Sequence, residues 1–241
     1  MVWTFLTDDV NYAMSAIKLL KSLRANTKSV YYDTNVIELN EKPLGNQTKK
    51  LLIKAGWTVC QVRRIAPRDE GGTFPRFRDQ FTKLVLWKIA QYKAHIYFDS
   101  DTFIVGNIDD LLASHRKLDN EKYRLGVTRD IRASVWQETF NMGVFVVKPS
   151  LDEFNRLMAL KANRNFKFET TMSEQGFLNV VYKDKWYEIG FEYNANLAAY
   201  TQQPEYWKKM EPNIRVIHYT MNKPWACESS YQPVCDKWRE T

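Results

Sequence analysis

Residues 2–7 form an apolar run that stops at Asp8-Asp9. Beyond them Ala13, Ala16, Ile17, Leu20 and Leu23 recur at the three-and-four spacing of a helix that continues to Arg24. The run reads as a strand, and either aspartate can cap the helix after it. Strand followed by helix is the opening of an α/β fold. Val30 and Val36-Ile37-Glu38-Leu39 predict a second strand, 47–55 a helix closed by Gly56, and 57–62 a third strand. Pro67, Gly71, Gly72 and Pro75 make 63–78 the clearest loop in the chain. Leu84, Val85, Trp87, Ile89 and Ala90 predict a helix over 81–92 that feeds a strand at 96–98. A short capped helix is expected at 107–112, with Asp109 and Asp110 as its first-turn acids. Strands at 125–127 and 144–147, a helix at 175–181 and a late strand at 216–219 follow, and the tail from Pro224 reads as irregular. No internal repeat or linker breaks the pattern, so one domain over 1–241 is expected.

The pattern fails at one place that matters. The run His95-Ile96-Tyr97-Phe98 ends at Asp99, and after Ser100 and Asp101 the apolar positions resume with Phe103-Ile104-Val105. In an extended strand, side chains at i and i+2 share a face. Two carboxylates on one face at the end of a buried strand repel each other unless a cation lies between them. The pair therefore predicts a hard metal ion, with water and substrate phosphate filling the positions that two carboxylates leave open. Among three histidines, His218 is the best third ligand, because it ends the apolar stretch Ile214-Arg215-Val216-Ile217. Carboxylates with one imidazole favour manganese or magnesium over zinc. Lys223, stiffened by Pro224, is suited to a pyrophosphate beside that metal, and Lys83 is a second cation near the substrate. Neither a phosphate-cradling glycine loop nor a dinucleotide fingerprint occurs, so nicotinamide enzymes and P-loop NTPases are excluded.

Charge and cysteines sharpen the setting. The net charge of +7 suits an anionic partner; its densest patch is Arg63, Arg64, Arg68, Arg76 and Arg78, with no nucleic-acid motif beside it. An aromatic content of 14% serves a large core or sugar and base stacking. Cys60, Cys227 and Cys235 are odd in number and lack a close paired spacing, which argues against a disulfide framework or a zinc knuckle. With no signal-like or membrane-spanning run, a reducing cytoplasmic setting is expected.

Taken in order, the motifs resemble glycosyltransferase family 8, the glycogenin-like and galactinol synthase-like group. They are Leu6-Thr7-Asp8-Asp9 with Tyr12, Phe81-Thr82-Lys83-Leu84, Asp99-Ser100-Asp101-Thr102, Asn107-Ile108-Asp109-Asp110-Leu111, Phe140-Asn141-Met142-Gly143, Glu174-Gln175-Gly176, Tyr193-Asn194, and Val216-Ile217-His218-Tyr219 with Lys223-Pro224-Trp225. The resemblance implies a single-domain α/β GT-A fold, with a central mixed sheet flanked by helices. It also implies retaining transfer of a hexose, glucose first, from a UDP-sugar to a carbohydrate, polyol or glycoprotein acceptor. By position, Asp99, Asp101 and His218 would hold Mn²⁺ (or Mg²⁺) and Lys223 would meet the diphosphate. Leu6, Thr7, Asp9 and Tyr12 would surround uracil and ribose, and Ser100 would touch the ribose. Lys83, Asn141, Glu174 and Gln175 would face the donor sugar. A homodimer is the first guess from the same group. Three departures stand out: Glu174 replaces the usual aspartate, the turn after His218 lacks its usual glycine, and Tyr200 lies one position off the self-glucosylated tyrosine. The rival readings are a haloacid-dehalogenase-type phosphatase, whose Asp-x-Asp-x-Thr also fits 99–102, and a sugar-nucleotide or nucleic-acid binder without catalysis. The basic 63–78 loop is the main support for that binder, and otherwise reads as a flap or an inert surface loop.

Overall fold

A computed structural model of the chain describes residues 1–7, 9–29, 32–120 and 122–240; the expectations placed on Asp8 and Val30 lie outside the described residues. The strands are β1 (Val2–Phe5), β2 (Thr34–Leu39), β3 (Thr58–Val62), β4 (His95–Phe98), β5 (Thr102–Ile104), β6 (Leu125–Arg132), β7 (Val135–Val147), β8 (Trp186–Glu188), β9 (Ala195–Asn196) and β10 (Val216–His218). The helices are α1 (Val10–Ala25), α2 (Asn46–Ala55), α3 (Val85–Lys88), α4 (Asp109–Ala113), α5 (Leu151–Ala162), α6 (Ser173–Val181), α7 (Leu197–Gln202), α8 (Pro204–Met210) and α9 (Gln232–Arg239).

Seven strands form one sheet in the order β3-β2-β1-β4-β7-β6-β8. The first four run parallel, whereas β7 is antiparallel to both β4 and β6. Alternation along each strand loads both faces. Val2, Ile96 and Phe98 join Leu19, Leu20 and Leu23 of α1 in one core, while Trp3 and Tyr97 join Trp87, Phe145 and Phe177 in the other. Covering on both faces explains why these strands read as unbroken apolar runs. A smaller sheet, β5-β10-β9, packs on a third core with Trp207, Val234 and Trp238 from α8 and α9. Asp9 caps α1 by accepting from the Asn11 and Tyr12 amides at 2.8 and 3.3 Å. Gly56 ends α2 at φ 106°, a conformation that side chains resist.

Four sequence expectations need correction. The helix expected over 81–92 is a 3₁₀ turn, Gln80–Leu84, followed by α3, which stops at Lys88. The carbonyls that would continue it are taken: Trp87 O accepts from the Ser150 amide at 2.9 Å, and Ile89 O bonds the His95 ring at 2.8 Å. The short strands at 125–127 and 144–147 are the ends of one long β6–β7 hairpin, whose tip residues Ala133 and Ser134 have φ of 47° and 62°. The tail is ordered by two 3₁₀ turns and α9. Finally, Cys227 and Cys235 are joined in a disulfide, with Cα atoms 6.4 Å apart. Folding α9 back on the preceding turn pairs two cysteines whose spacing gave no sign of it, and Cys60 is the remaining free thiol. No helix among the described residues is long and apolar enough to cross a membrane.

Candidate active site

Asp99, Ser100 and Asp101 are not part of a strand. They form the turn by which the chain leaves β4 in the large sheet and enters β5 in the small one. The carboxylates converge because the turn is pinned from both sides. The Asp99 amide donates to Gly143 O at 2.7 Å, Thr102 donates through its amide and hydroxyl to Asp99 O, and the Tyr219 amide donates to Asp101 O at 3.0 Å. Strand β10 pairs antiparallel to β5 with His218 opposite Thr102, which sets the imidazole over the turn. Its Nε2 lies 3.4 Å from Asp101 Oδ1 and 3.6 Å from Asp99 Oδ2. One ligand atom from each of Asp99, Asp101 and His218 can be chosen so that all lie within 4.8 Å of one another.

The supports of His218 are as specific as the ring. Nδ1–H donates to Asn194 Oδ1 at 2.9 Å, which leaves Nε2 turned toward the carboxylates. Asn194 in turn donates to Asn141 Oδ1 at 3.1 Å, and the Gly143 amide donates to the same oxygen at 2.8 Å. The imidazole lies against the backbone of Gly143, where a Cβ would fall 2.9 Å from Nε2 and nearer still to Cε1 and Nδ1. Sequence reasoning gave Asn141 a sugar-facing role. Its Oδ1 holds the support of the imidazole, and the residue also lines the cleft.

Charge in the site is balanced by two lysines. Lys223 Nζ donates to Asp101 Oδ2 and, at 2.7 Å, to Tyr219 O. Burial pushes the Asp101 carboxyl up, but Lys223 and His218 outweigh it and hold it well below the usual carboxylate range. Lys83 is 3% exposed and lies 2.9 Å from Asp99 and 3.1 Å from Glu174. Burial alone would lower Lys83; the two carboxylates outweigh it and hold the ammonium above the usual lysine value. Burial raises the Glu174 carboxyl, with Lys83 pulling the other way. The extra methylene of Glu174 thus reaches the buried ammonium. Gln175 is fixed at both ends: its Oε1 accepts from the Met142 amide at 3.0 Å and its Nε2 donates to Asp130 at 3.0 Å. Asp130 is 5% exposed, and its carboxyl is raised by burial against the pull of Arg132.

These groups line a cleft of about 540 Å³. Thr7, Tyr12, Ser100, Asn141, Gln175 and Lys223 all face it, along with Lys83, Glu174 and the Asp99–Asp101–His218 cluster. Two expected residues do not. Leu6 is 1% exposed in the core beneath α1, and the Asp9 carboxylate caps that helix. Tyr12 stands edge-on to Trp225 at 5.0 Å, with Lys223 over its ring at 5.8 Å. Arg76 of the basic 63–78 loop also lines the cleft, with its neighbour Phe77; sequence reasoning missed Asp130 and Arg132, which line it too, and the supporting role of Asn194. Asp130 and Arg132 lie in the unforeseen part of the β6–β7 hairpin, where no residue pattern marked them. A larger open depression, about 980 Å³, lies beside β8; of its three acids, Glu138 and Glu188 are paired with Arg129 and the third is Asp184, and it brings no comparable ligand cluster together among the described residues.

Comparison with known proteins agrees with this geometry. Residues 4–228 match the profile of glycosyl transferase family 8. Mouse glycogenin-1 is 28% identical over 233 residues, covering 92% of this chain and 64% of its own length. Tomato galactinol synthase 2 is 27% identical over 250 residues, covering 92% of this chain and 71% of its own. Among solved structures, an active-site mutant of LgtC superposes with a TM-score of 0.73 at 18% identity, covering 100% of this chain and 94% of that one. LgtC, solved also as a galactosyltransferase with donor and acceptor sugar analogues, shares the GT-A arrangement of a mixed sheet flanked by helices. A haloacid-dehalogenase phosphatase and a binder without catalysis are both set aside: the chain is a glycosyltransferase and belongs to glycosyl transferase family 8.

Proposed function

We propose that residues 1–241 act as one GT-A domain that transfers a hexose, glucose first, from a UDP-sugar to a hydroxyl of a carbohydrate, polyol or glycoprotein acceptor with retained configuration, dependent on Mn²⁺. The observation that carries this reading is the convergence of Asp99, Asp101 and His218 in a cleft that also presents Lys223. The cluster fits a divalent cation: it offers carboxylate oxygens and one imidazole nitrogen whose other nitrogen is already committed to Asn194. When bound, the ion supplies positive charge that offsets the charge developing on the departing diphosphate.

The chain's own residues do the rest. Lys223, poised beside Asp101 on a turn stiffened by Pro224, binds the diphosphate and stabilises it as it leaves. Tyr12 and Trp225 form an aromatic corner against which a uracil ring stacks. Lys83 is held by Asp99 and Glu174 as a buried ammonium facing the donor sugar, which orients that sugar's hydroxyls. With Gln175 bonded at both ends and Glu174 paired to Lys83, neither is free as a covalent nucleophile. Same-face attack by the acceptor hydroxyl through an oxocarbenium-like state follows, with Asp130 near enough to Gln175 to orient that hydroxyl. Incubation with a panel of UDP-sugars and Mn²⁺, read by UDP release and product mass, tests the reading. Silence across the panel, with Asp99→Asn indistinguishable from the native chain, would end it.

A further inference from the structure

The disulfide absent from the sequence expectations sits next to the donor site. Cys227 follows the 3₁₀ turn Pro224–Ala226 that begins at Lys223, and Cys235 is fully buried on α9. That turn carries both groups assigned to the nucleotide, the Lys223 ammonium and the Trp225 ring. Helix α9 also holds the turn by a second contact, Trp238 against Trp225 at 6.1 Å. At its far end α9 is tied to α1, because Lys18 donates to Trp238 O at 2.8 Å and lies over the Trp238 ring at 4.2 Å. Helix α1 supplies Tyr12, the other wall of the corner. The two walls are therefore joined through α9, and Cys227–Cys235 is the covalent cross-link in that path besides the backbone itself. Cys227 is half-buried and can be approached from solvent, whereas Cys235 cannot.

We propose that Cys227–Cys235 is a modification site at which a dithiol reductant opens the clamp on the Lys223–Trp225 turn and lowers affinity for a uridine diphosphate. The affinity half rests on the function proposed above; the clamp itself does not. A reductant thiolate attacks Cys227 Sγ, forming a mixed disulfide and releasing Cys235 as a thiolate that takes up a proton. The reductant's second thiol then displaces Cys227 from the mixed disulfide, so the reductant leaves oxidised and two cysteine thiols remain. Freed of the link, the turn is held by noncovalent ties alone: Ala226 N to Lys223 O at 2.9 Å, Glu228 N to Asn222 at 3.2 Å, Lys223 Nζ to Asp101 and Tyr219 O, and the Trp225 ring against Tyr12 and Trp238. A nucleotide must then restrain a looser turn on binding, which weakens affinity about tenfold.

The test compares oxidised protein, protein reduced with a phosphine, and the Cys227→Ser/Cys235→Ser variant, with Cys60→Ser as the control that retains the link. Amide exchange at Ala226 and Glu228 should speed up in the reduced and doubly substituted forms, and titration of UDP with Mn²⁺ should show the tenfold weaker binding in both. The Cys60→Ser protein should behave as wild type until it is reduced. Unchanged exchange at both amides on reduction, or three titratable thiols in the native oxidised protein, overturns the clamp. Faster exchange with equal UDP affinity overturns its link to the nucleotide. Oxidised protein that binds no UDP sinks the proposed function instead, and the exchange result still decides the clamp.

Discussion

Substituting Gly143 by alanine adds one methyl group to β7, and its whole effect should run through His218. The added Cβ would lie 2.9 Å from Nε2 and closer to two other ring atoms, against the roughly 3.5–4.0 Å at which carbon atoms rest. The ring must move by about 1 Å or more. It has nowhere neutral to go: Nδ1 is bonded to Asn194 at 2.9 Å, and β10 is held in register with β5. Forcing a methyl into such a site costs about 1–3 kcal/mol of stability. Mis-orienting a metal-ligating imidazole lowers metal affinity by about 10–100-fold, or about 1.4–2.7 kcal/mol. Mn²⁺ titrations of UDP binding should report that loss, and urea unfolding the destabilisation. A double-mutant cycle isolates the cause, because in a His218→Ala background the same methyl meets empty space and its stability cost should fall close to zero. Native-like Mn²⁺ dependence in Gly143→Ala, or an equal stability cost with and without the ring, would refute the reasoning.

Three further outcomes are expected. Burial holds His95 down at about 4 from an ordinary 6.5, with its Ile89 bond opposing; stability from its neutral form is full above about pH 6.5 and is lost as pH falls toward 4, by about 3 kcal/mol. Urea unfolding from pH 4 to 8 should show that extra acid slope in the native protein and not in His95→Gln, and parallel curves would count against it. Lys83→Met leaves Asp99 and Glu174 without their shared ammonium, so unfolding free energy should drop by about 3–5 kcal/mol and UDP release should vanish, whereas adding Glu174→Gln should recover part of the stability. Removing the Cys227–Cys235 link by double serine substitution should cost about 2–3 kcal/mol in urea unfolding, the chain-entropy value for so short a loop; a loss below about 0.5 kcal/mol would speak against it, being the scatter of surface substitutions.

The residues carrying charge were easier to read than the path of the chain between them. Asp99 and Asp101 announced themselves because two acids interrupting an apolar run are costly without a cation, and that holds whether they share a strand face or, as here, a turn. The strand-face reasoning was wrong in geometry, yet the two carboxylates do converge, with His218 beside them. Leu6 and Asp9 show the reverse: position in a motif suggested nucleotide contacts, but local forces use one as core and the other as a helix cap. The β6–β7 hairpin stayed invisible because its tip, Ala133-Ser134, takes left-handed conformations without the asparagine or glycine that usually marks them. Asp130 was lost with it. The 81–92 helix failed for a tertiary reason, since His95 and Ser150 take the carbonyls that would have extended it and no local pattern records such competition.

The aspartate turn is also a seam. Residues 99–101 are where the large sheet hands the chain to the small one, and Asp99, Asp101 and His218 contribute from both sides of that handover. Whatever ligand bridges them adds a polar cross-brace to two sheets that otherwise meet through apolar packing, Ile104 of β5 and Val216 of β10 against the cluster of Val2, Ile96 and Phe98. Its binding free energy is then drawn on by the whole molecule, including strands far from the cleft, so saturation with donor should be felt as resistance to global unfolding and not only as a quieter active site.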